Sequence, residues 1–286
     1  MTPIASTKPA QLVLPSLRFF RTPKGILIAI FAALAVLAIA SAPDGRIVHN
    51  LLLATAVAAA LDLTISLIRR GEWLLPDGAI LTGAIVAFIL RPQEADSTVV
   101  LAVTAAIASK HLLRTRWSNV LNPAAAGLVV SGVFLGSGQS WWGALPDVGI
   151  LGLVALGVTG YYLADHTNKL PMILAFFGAY LSLFTIAALF GQAGAASEIF
   201  RTPDAQAALF FAFFMLDDPP TSPVRYEDQV VYGLMVATLA YLVFMTLGAV
   251  YYLPAALLIG NAWESGRRLW FGRGKGRLRS NRQPAA

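Results

Sequence analysis

The chain has 286 residues, of which 57% are hydrophobic and 13% are charged, with a formal net charge of +6 and no cysteine. Soluble domains usually carry about 25% charged residues, so this composition argues against a soluble protein. The lack of cysteine excludes a disulfide framework, thiolate-bound zinc, an iron–sulfur cluster and c-type haem attachment.

The hydrophobic residues gather in ten apolar segments, which are separated by short turns rich in Gly, Pro, Asn and Asp. A helix needs about 20 residues to cross about 30 Å of hydrocarbon. The pattern therefore predicts an all-α polytopic membrane protein with about ten transmembrane helices. In chain order the segments are Gly25–Ala42, Asn50–Ile68, Gly78–Leu90, Thr98–Leu113, Pro123–Gly136, Val148–Ala164, Leu170–Gly191, Gln206–Leu216, Gln229–Gly248 and Val250–Trp263.

The basic residues divide unequally between alternate connections. With ten crossings, 18 Lys and Arg residues fall on one side and 3 on the other. Cytoplasmic loops carry the excess of these residues, so we predict a multi-pass protein of the inner (cytoplasmic) membrane with both termini in the cytoplasm. Residues 1–24 then form a cytoplasmic segment, residues 25–264 a single membrane domain, and residues 265–286 a basic tail. The tail is expected to contact anionic lipid headgroups of the bilayer, and not nucleic acid.

Two of the segments are too short to cross alone. The apolar parts of the third and eighth segments have only 12 and ten residues, and each ends at a polar turn that contains proline. Pro92 and Pro219 in these turns lie 127 residues apart, while Pro123 and Pro254, each followed by Ala-Ala, lie 131 apart. These offsets predict two repeats, at about 25–137 and 147–264. Five crossings per repeat invert the second one, and short broken helices are then expected to meet at a binding site near the midplane. The alternative is that the short helices are only tilted or re-entrant structural pieces.

One carboxylate is predicted inside a membrane helix. Asp62 lies in the second segment, where an ionised group is costly unless it is paired or hydrated. It is either a cation or proton site, or a structural hydrogen-bonding group that contacts Thr64, Ser66 or a neighbouring helix. No phosphate-binding motif of the Rossmann or P-loop type is present, so this chain alone is not expected to bind NADH or ATP.

Several aromatic residues lie near predicted segment ends. Trp117, Trp141, Trp142 and Trp263 are expected in the aromatic belts at the membrane–water interfaces, with flavin stacking as the alternative. The three histidines also lie at predicted helix ends, which argues against a b-type haem held between helices.

Several motifs occur in an order that resembles one family of membrane proteins. Asp77–Gly83, followed by an apolar run and Pro92, is similar to the family's Asp-Gly-Ser…Thr-Gly…Leu-Pro-Pro stretch. Phe213–Pro223 is similar to its Phe-Phe-Met-Ala-Thr-Asp-Pro-Val-Thr-Ser-Pro. Further matching stretches are Arg21–Lys24, Ser109–Leu112, Asn122–Gly127 and Tyr252–Ala262. The family is the NqrB/RnfD group, membrane subunits of the sodium-pumping NADH:quinone oxidoreductase and of the Rnf electron-transport complex.

The resemblance runs from about Arg21 to Asn261. It implies ten helices in two inverted five-helix repeats, a urea-channel-like fold, and a bound flavin, FMN or riboflavin, that passes electrons. The family's usual covalent FMN is attached to a threonine in a Ser-Gly-Ala-Thr motif after the fifth helix. The loop Ser137–Gly143 contains neither that motif nor a threonine, so the resemblance implies a non-covalent flavin here. The residues that it assigns to flavin binding are Thr82, Lys110, Asn122, Pro123, Asp218, Thr221, Ser222 and Asn261.

Two functions follow from the sequence. In the first, the chain is an RnfD-like subunit that relays electrons through a flavin at the repeat interface, with or without coupled ion movement. It then needs a redox partner protein or other complex subunits and is not catalytic alone. In the second, it is a transporter or channel for a small solute or ion on the same scaffold, without redox activity. The missing threonine and the lack of an NADH site favour the second function.

Overall fold

The computed structural model describes residues 22–280 except positions 72, 74, 116 and 117. In this part of the chain the structure is helical, and the recorded extended pairings are two isolated bridges. The prediction of an all-α protein is confirmed for these residues. The helices of ten residues or more in the described part are α1 Pro23–Ser41, α2 Gly45–Arg70, α3 Asp77–Ile89, α4 Asp96–Leu112, α5 Pro123–Leu135, α6 Ile150–His166, α7 Leu170–Ala187, α8 Thr202–Phe211, α9 Tyr226–Leu247 and α10 Tyr252–Ser280.

Four apolar stretches in the described residues are long enough to cross a membrane. They are Pro23–Ser41, Gly45–Arg69, Leu170–Gly191 and Tyr226–Leu247, which correspond to α1, α2, α7 with its following turn, and α9. Shorter apolar helices are interspersed with them. These lengths and compositions support the predicted helical membrane protein, while the number of crossings stays a prediction.

The helix ends follow local signals in the sequence. Asp44 and Asn122 accept hydrogen bonds from backbone N–H groups in the first turns of α2 and α5, as N-cap residues do. Gly71, Gly136 and Gly248 end α2, α5 and α9 with positive φ angles, a conformation that glycine adopts without steric cost. The predicted segments match the observed helices to within about five residues at each end, except that α10 extends well beyond the predicted end at Trp263.

The third and eighth helices are short, as the sequence predicts. α3 has 13 residues, and α8 has ten residues followed by the π-helical turn Ala212–Leu216. α3 ends just before Arg91, because the ring of Pro92 disfavours helical backbone at the residue that precedes it. Both helices are enclosed by their neighbours, and every residue from Leu81 to Ile89 is buried.

An aromatic cluster fills the centre, where α1, α3 and α8 cross. The ring centroids are 5.3 Å apart for Phe31 and Phe88, 6.0 Å for Phe88 and Phe210, and 5.0 Å for Phe210 and Phe214. Edge-on and tilted contacts at these distances are favourable for aromatic rings. The packed aromatic rings therefore lie between the two ends of the helix bundle.

The loop after α5 folds back into the protein, and the interfacial position predicted for two tryptophans is wrong. Trp141 and Trp142 are both buried. The Trp142 Nε1–H donates to the Ala87 carbonyl at 2.6 Å, and its ring packs edge-on against Phe88. Gly143 permits this packing, because a Cβ there would collide with the Phe88 side chain. Trp263 is partly exposed, whereas Trp117 lies outside the described residues.

The C-terminal helix continues beyond the predicted membrane boundary. α10 runs without interruption from Tyr252 to Ser280, so most of the predicted basic tail is helical. Residues 1–21 and 281–286, which include most of the predicted N-terminal segment and the end of the tail, lie outside the described residues.

Candidate functional site

The short helix α3 and the proline turn after α8 border one cavity, whereas the turn at Pro92 is absent from its described lining. This first cavity has a volume of about 380 Å³, within the range of about 300–1,000 Å³ that is usual for small-molecule sites. Its apolar wall includes Leu27, Leu81, Ile85, Phe213 and Phe214. Its polar groups come from the starts of α1, α3 and α5, the ends of α4 and α6, and the turn after α8: Lys24, Asp77, Thr82, Lys110, Asn119, Asn122, Thr167, Asp217 and Asp218.

Five of the eight residues predicted to bind flavin line this cavity. They are Thr82, Lys110, Asn122, Pro123 and Asp218. Thr82 and Asp218, which are 136 residues apart in the sequence, thus lie at one site. The other three, Thr221, Ser222 and Asn261, are buried behind the lining and are absent from the described cavity wall.

Asn122 joins three parts of the bundle. Its Oδ1 accepts from the Ala125 N–H at 3.1 Å and caps α5, while its own N–H donates to Asn261 Oδ1 at 2.8 Å. Its Nδ2 lies 3.4 Å from the Met215 carbonyl, a long and weak hydrogen bond. Asn261 in turn donates to the Tyr232 hydroxyl at 2.6 Å. Asn261 therefore acts through Asn122 and not by lining the cavity.

The turn after α8 is held by its own side chains. Thr221 Oγ1 donates to Asp218 Oδ2 at 2.9 Å, and Ser222 Oγ donates to the Asp218 carbonyl at 2.9 Å. The Thr167 hydroxyl lies 2.9 Å from Asp217 Oδ1. Thr221 and Ser222 thus fix the turn that presents the two carboxylates to the cavity.

Burial weakens the acidity of both carboxyl groups in this turn, which lies beyond the apolar residues of α8. It raises the pKa of Asp217 to about 8, although the Thr167 hydroxyl and the charge of Lys169 oppose this. Burial likewise raises the pKa of Asp218 to about 6, against the hydrogen bond from Thr221. Both carboxyl groups therefore keep their protons to a higher pH than an exposed aspartate does.

Asp62 is paired with a neighbouring helix. Its Oδ1 accepts from Lys110 Nζ at 2.8 Å and from His111 Nε2 at 2.7 Å, both on α4. Thr64 instead donates to the Ala60 carbonyl of its own helix. This is the neighbouring-helix alternative, and it positions Lys110 at the edge of the cavity. A cation or proton role for Asp62 stays a prediction.

Sequence reasoning missed an ionic clamp on the same turn. Glu264 of α10 is almost fully buried and accepts from Arg267 Nε and Arg268 Nε, each at 2.7 Å. Arg268 also donates to the carbonyls of Pro220 and Ser222. The signal available was a single glutamate before two arginines, which in isolation resembles part of the basic tail.

A buried lysine supports the turn from the other side. Lys169, between α6 and α7, donates through Nζ to the Pro223 carbonyl. Its burial lowers the pKa of the amine, while the nearby charge of Asp217 opposes that shift. The polar turn is thus fixed by cations from two separate elements.

A second cavity, of about 440 Å³, lies among the opposite ends of several of these helices. It is bordered by the loop after α5, the start of α8, the end of α9 and the start of α10. Phe210 packs against Trp141 of this cavity at 6.1 Å and against Phe214 of the first cavity at 5.0 Å. The central aromatic cluster thus separates the two cavities.

Comparisons with models of protein families and with characterised proteins match nothing to this chain. The assignment of function therefore depends on the geometry of the cavities and on the motifs in the sequence.

Proposed function

We propose that the chain is an RnfD-like membrane electron-transport subunit that holds a non-covalent flavin in the first cavity. The observation that carries this proposal is the convergence of five motif residues, from separate helices, on one cavity of suitable size. Such a pocket, with apolar walls and a few convergent polar groups, is typical of cofactor sites.

The lining chemistry fits a flavin. The rings of Phe213 and Phe214 and the Leu81 side chain offer apolar surface to a flat ring system. Thr82, Asn122 and Asp218 offer hydrogen-bonding groups for the polar edge of the ring. The weak bond from Asn122 to Met215 is the one that a ligand would replace most easily. A bound flavin would supply the electron transfer, while these residues would orient it and exclude water.

Contacts between helix ends support the predicted topology of ten crossings. At one end of the bundle, Lys24 at the start of α1 binds Asp77 at the start of α3, and Arg69 at the end of α2 donates to the His111 carbonyl at the end of α4. Ser265 of α10 donates to the Val120 carbonyl before α5. Helices that alternate in direction across a bilayer bring their ends together in this way. The basic residues at this end favour the cytoplasmic side.

The two short helices also support the inverted repeat. Pro76-Asp77 begins α3 and Pro203-Asp204 begins α8, 127 residues apart, the same offset as between Pro92 and Pro219. The offset predicts that α3 and α8 are equivalent helices of opposite direction. The first cavity would then lie on the cytoplasmic side of the inner membrane, where a soluble redox partner or another subunit has access.

The test is flavin content. The full chain, purified in detergent, is expected to show flavin absorbance and fluorescence that are released on denaturation. Thr82→Val and Asn122→Asp, the second of which keeps the helix cap, should each lower flavin occupancy. Asp96→Asn, a change at the exposed Asp96–His49 pair, should leave it unchanged. A folded, flavin-free protein that also fails to take up added FMN or riboflavin would refute the proposal.

The second cavity favours the alternative of a transporter or channel. Two cavities at opposite ends, separated by the aromatic cluster around Phe210, resemble a path closed at its middle. Phe210→Ala should then increase solute flux into liposomes that contain the purified protein. Flux by flavin-free protein would support this function over electron transport.

A further inference from the structure

One carboxyl group of the first cavity is buried with little support for a negative charge. Asp217 lines the cavity wall and is 3% exposed. Within the described part of the chain, the side chain that hydrogen-bonds its carboxyl group is that of Thr167, whose Oγ1 lies 2.9 Å from Oδ1 and 3.1 Å from Oδ2. A buried carboxylate is costly unless several donors or a cation stabilise it. This site therefore favours the protonated carboxyl group.

The Thr167 hydroxyl is able to bond Asp217 in either protonation state. A hydroxyl has one hydrogen to donate, and Thr167 Oγ1 lies 3.0 Å from the Leu163 carbonyl as well as 2.9 Å from Asp217. When Asp217 is protonated, its O–H donates to Thr167 Oγ1, and the Thr167 hydroxyl donates to Leu163. When Asp217 is ionised, the Thr167 hydroxyl donates to the carboxylate. The Leu163 carbonyl keeps its bond from the Thr167 N–H, at 2.9 Å, in both states and is never left unpaired.

The charged groups around Asp217 are held by other partners. Lys169 Nζ donates to the Pro223 carbonyl, and the Asp218 carboxyl group accepts from Thr221. The other cations that face the cavity or the turn are each paired with a different acid: Lys24 with Asp77, Lys110 with Asp62, and Arg267 and Arg268 with Glu264. Among the described residues, no cation thus forms an ion pair with Asp217.

We infer that Asp217 is the proton donor for electron uptake in the first cavity, with Thr167 as its positioning residue. The inference rests on the proposed function, because a flavin that accepts two electrons also accepts at least one proton. The electrons come from the redox partner. The proton leaves the Asp217 carboxyl group, whose oxygens then accept from the Thr167 hydroxyl. Water returns a proton to the carboxylate, so one proton is taken from solution for every two electrons.

Burial supports this role. It raises the pKa of Asp217 to about 8, against the hydrogen bond from Thr167 and the charge of Lys169. A donor is most effective when its pKa lies near the working pH, because it then holds the proton and still releases it readily. Burial raises the pKa of Asp218 less, to about 6, so Asp217 is the group that keeps its proton at neutral pH.

Reduction of the flavin-loaded full chain by dithionite, followed by stopped-flow absorbance in detergent, tests the donor role. The rate should fall as pH rises through about 8, because Asp217 then loses its proton. Asp217→Asn should be at least about tenfold slower and lack this decline, since a general acid typically contributes about 100-fold or more. Asp217→Glu should restore most of the rate. Asp96→Asn, the same charge change at an exposed pair, should behave like the unaltered protein.

Infrared spectra provide a readout that needs no flavin. A protonated carboxyl group has a carbonyl stretching band that a carboxylate lacks. In flavin-depleted protein near neutral pH, this band should be weaker in Asp217→Asn than in the unaltered protein. Thr167→Val should hold the band to a higher pH, because the hydrogen bond that favours the carboxylate is lost, whereas Thr167→Ser should not.

The outcomes separate this inference from the function on which it rests. Protein that binds no flavin would refute the proposed function and the donor role with it. Flavin-loaded Asp217→Asn with a normal rate and pH profile would overturn the donor role alone, as would an infrared band that is unchanged without Asp217. If Asp217→Asn does not load flavin, Thr167→Val decides. Its rate should persist to a higher pH than that of Thr167→Ser, and equal pH profiles would overturn the inference.

Discussion

The two cavities lie at opposite ends of one helix bundle and differ in how their polar groups are satisfied. In the first, the carboxylates of Asp77 and Asp218 are bound by Lys24 and Thr221. In the second, the Gln139 amide has no hydrogen-bond partner among the described residues, and the charged side chains of the described lining are Glu198 and Asp204. A cavity with lysines and carboxylates suits a ligand with mixed polarity.

The two cavities also share one feature and differ in another. An aspartate in the first turn of a short helix lines each of them, Asp77 of α3 in the first cavity and Asp204 of α8 in the second. At the end of α4 the chain has Lys110, whereas the end of α9 that borders the second cavity is apolar, with Phe244 and Met245. The first cavity is therefore lined by both lysines and carboxyl groups, whereas the charged side chains in the described lining of the second are Glu198 and Asp204.

The largest effect is expected at the clamp on the first cavity. Glu264→Gln removes the charge that holds Arg267 and Arg268, and breaking such a buried pair costs about 3 kcal/mol or more. The turn at Pro220 should then move, so Tm and flavin occupancy should both fall. Glu227→Gln, at a highly exposed ion pair with Arg225, serves as the control and should change neither property. A normal flavin content in Glu264→Gln would show that flavin binding does not depend on the clamp.

A smaller effect is expected from the glycines where helices touch. A Cβ at Gly127 of α5 would collide with the Ala102 backbone carbonyl, so Gly127→Ala should destabilise by about 1–3 kcal/mol and disturb the first cavity. At Gly260 the nearest atom is the side-chain Cγ2 of Val236 at 2.8 Å, which is farther than the 2.3 Å to the Ala102 carbonyl oxygen at Gly127, so the same change should cost less. Gly157 has no neighbour within 4 Å, and Gly157→Ala should be neutral or stabilising. Thermal melts in detergent test this order, and an equal loss at all three glycines would contradict it.

Local sequence predicted the helices and part of the first cavity. Asn122-Pro123 is a local helix-start signal, and Pro92 disfavours helical backbone at the residue before it. The two helix ends depend on backbone chemistry within a few residues. Thr82 and Asp218 were instead predicted because their motifs resemble those of a known family.

The remaining features depend on partners that are distant in the chain. Asp62 binds Lys110 and His111, about 50 residues away, and nothing in its own segment indicates them. Trp141 was predicted at a membrane–water interface because tryptophan is common in aromatic belts. The loop instead folds inward, and Trp141 packs against Phe210. Gln139 was overlooked because an amide in a polar loop is unremarkable until its burial is known.

The pH dependence of stability should come from the first cavity. The folded-state pKa of Asp217 is about 8, above its ordinary value of 3.8, so the folded protein holds a proton that the unfolded chain has lost. The stabilisation that this proton provides is therefore complete below about pH 4 and declines as pH rises toward 8, by at most about 1.4 kcal/mol per pH unit. Asp217→Asn has no carboxyl group to titrate at this position, so its Tm should change less with pH between about pH 6 and 8. Asp96→Asn should retain the slope, and an unchanged slope in Asp217→Asn would assign it to another group.

The smallest effect on stability is expected at the mouth of the first cavity. Lys24 is 60% exposed and pairs with Asp77 at 3.0 Å, so Lys24→Ala should cost less than about 1 kcal/mol. Its charge still lies where a phosphate would enter, and FMN carries a phosphate that riboflavin lacks. Titrating flavin-depleted protein should therefore show weaker FMN binding in Lys24→Ala, with riboflavin binding unchanged and the difference reduced by salt. An equal loss for both flavins would show that Lys24 shapes the cavity instead of reading the phosphate.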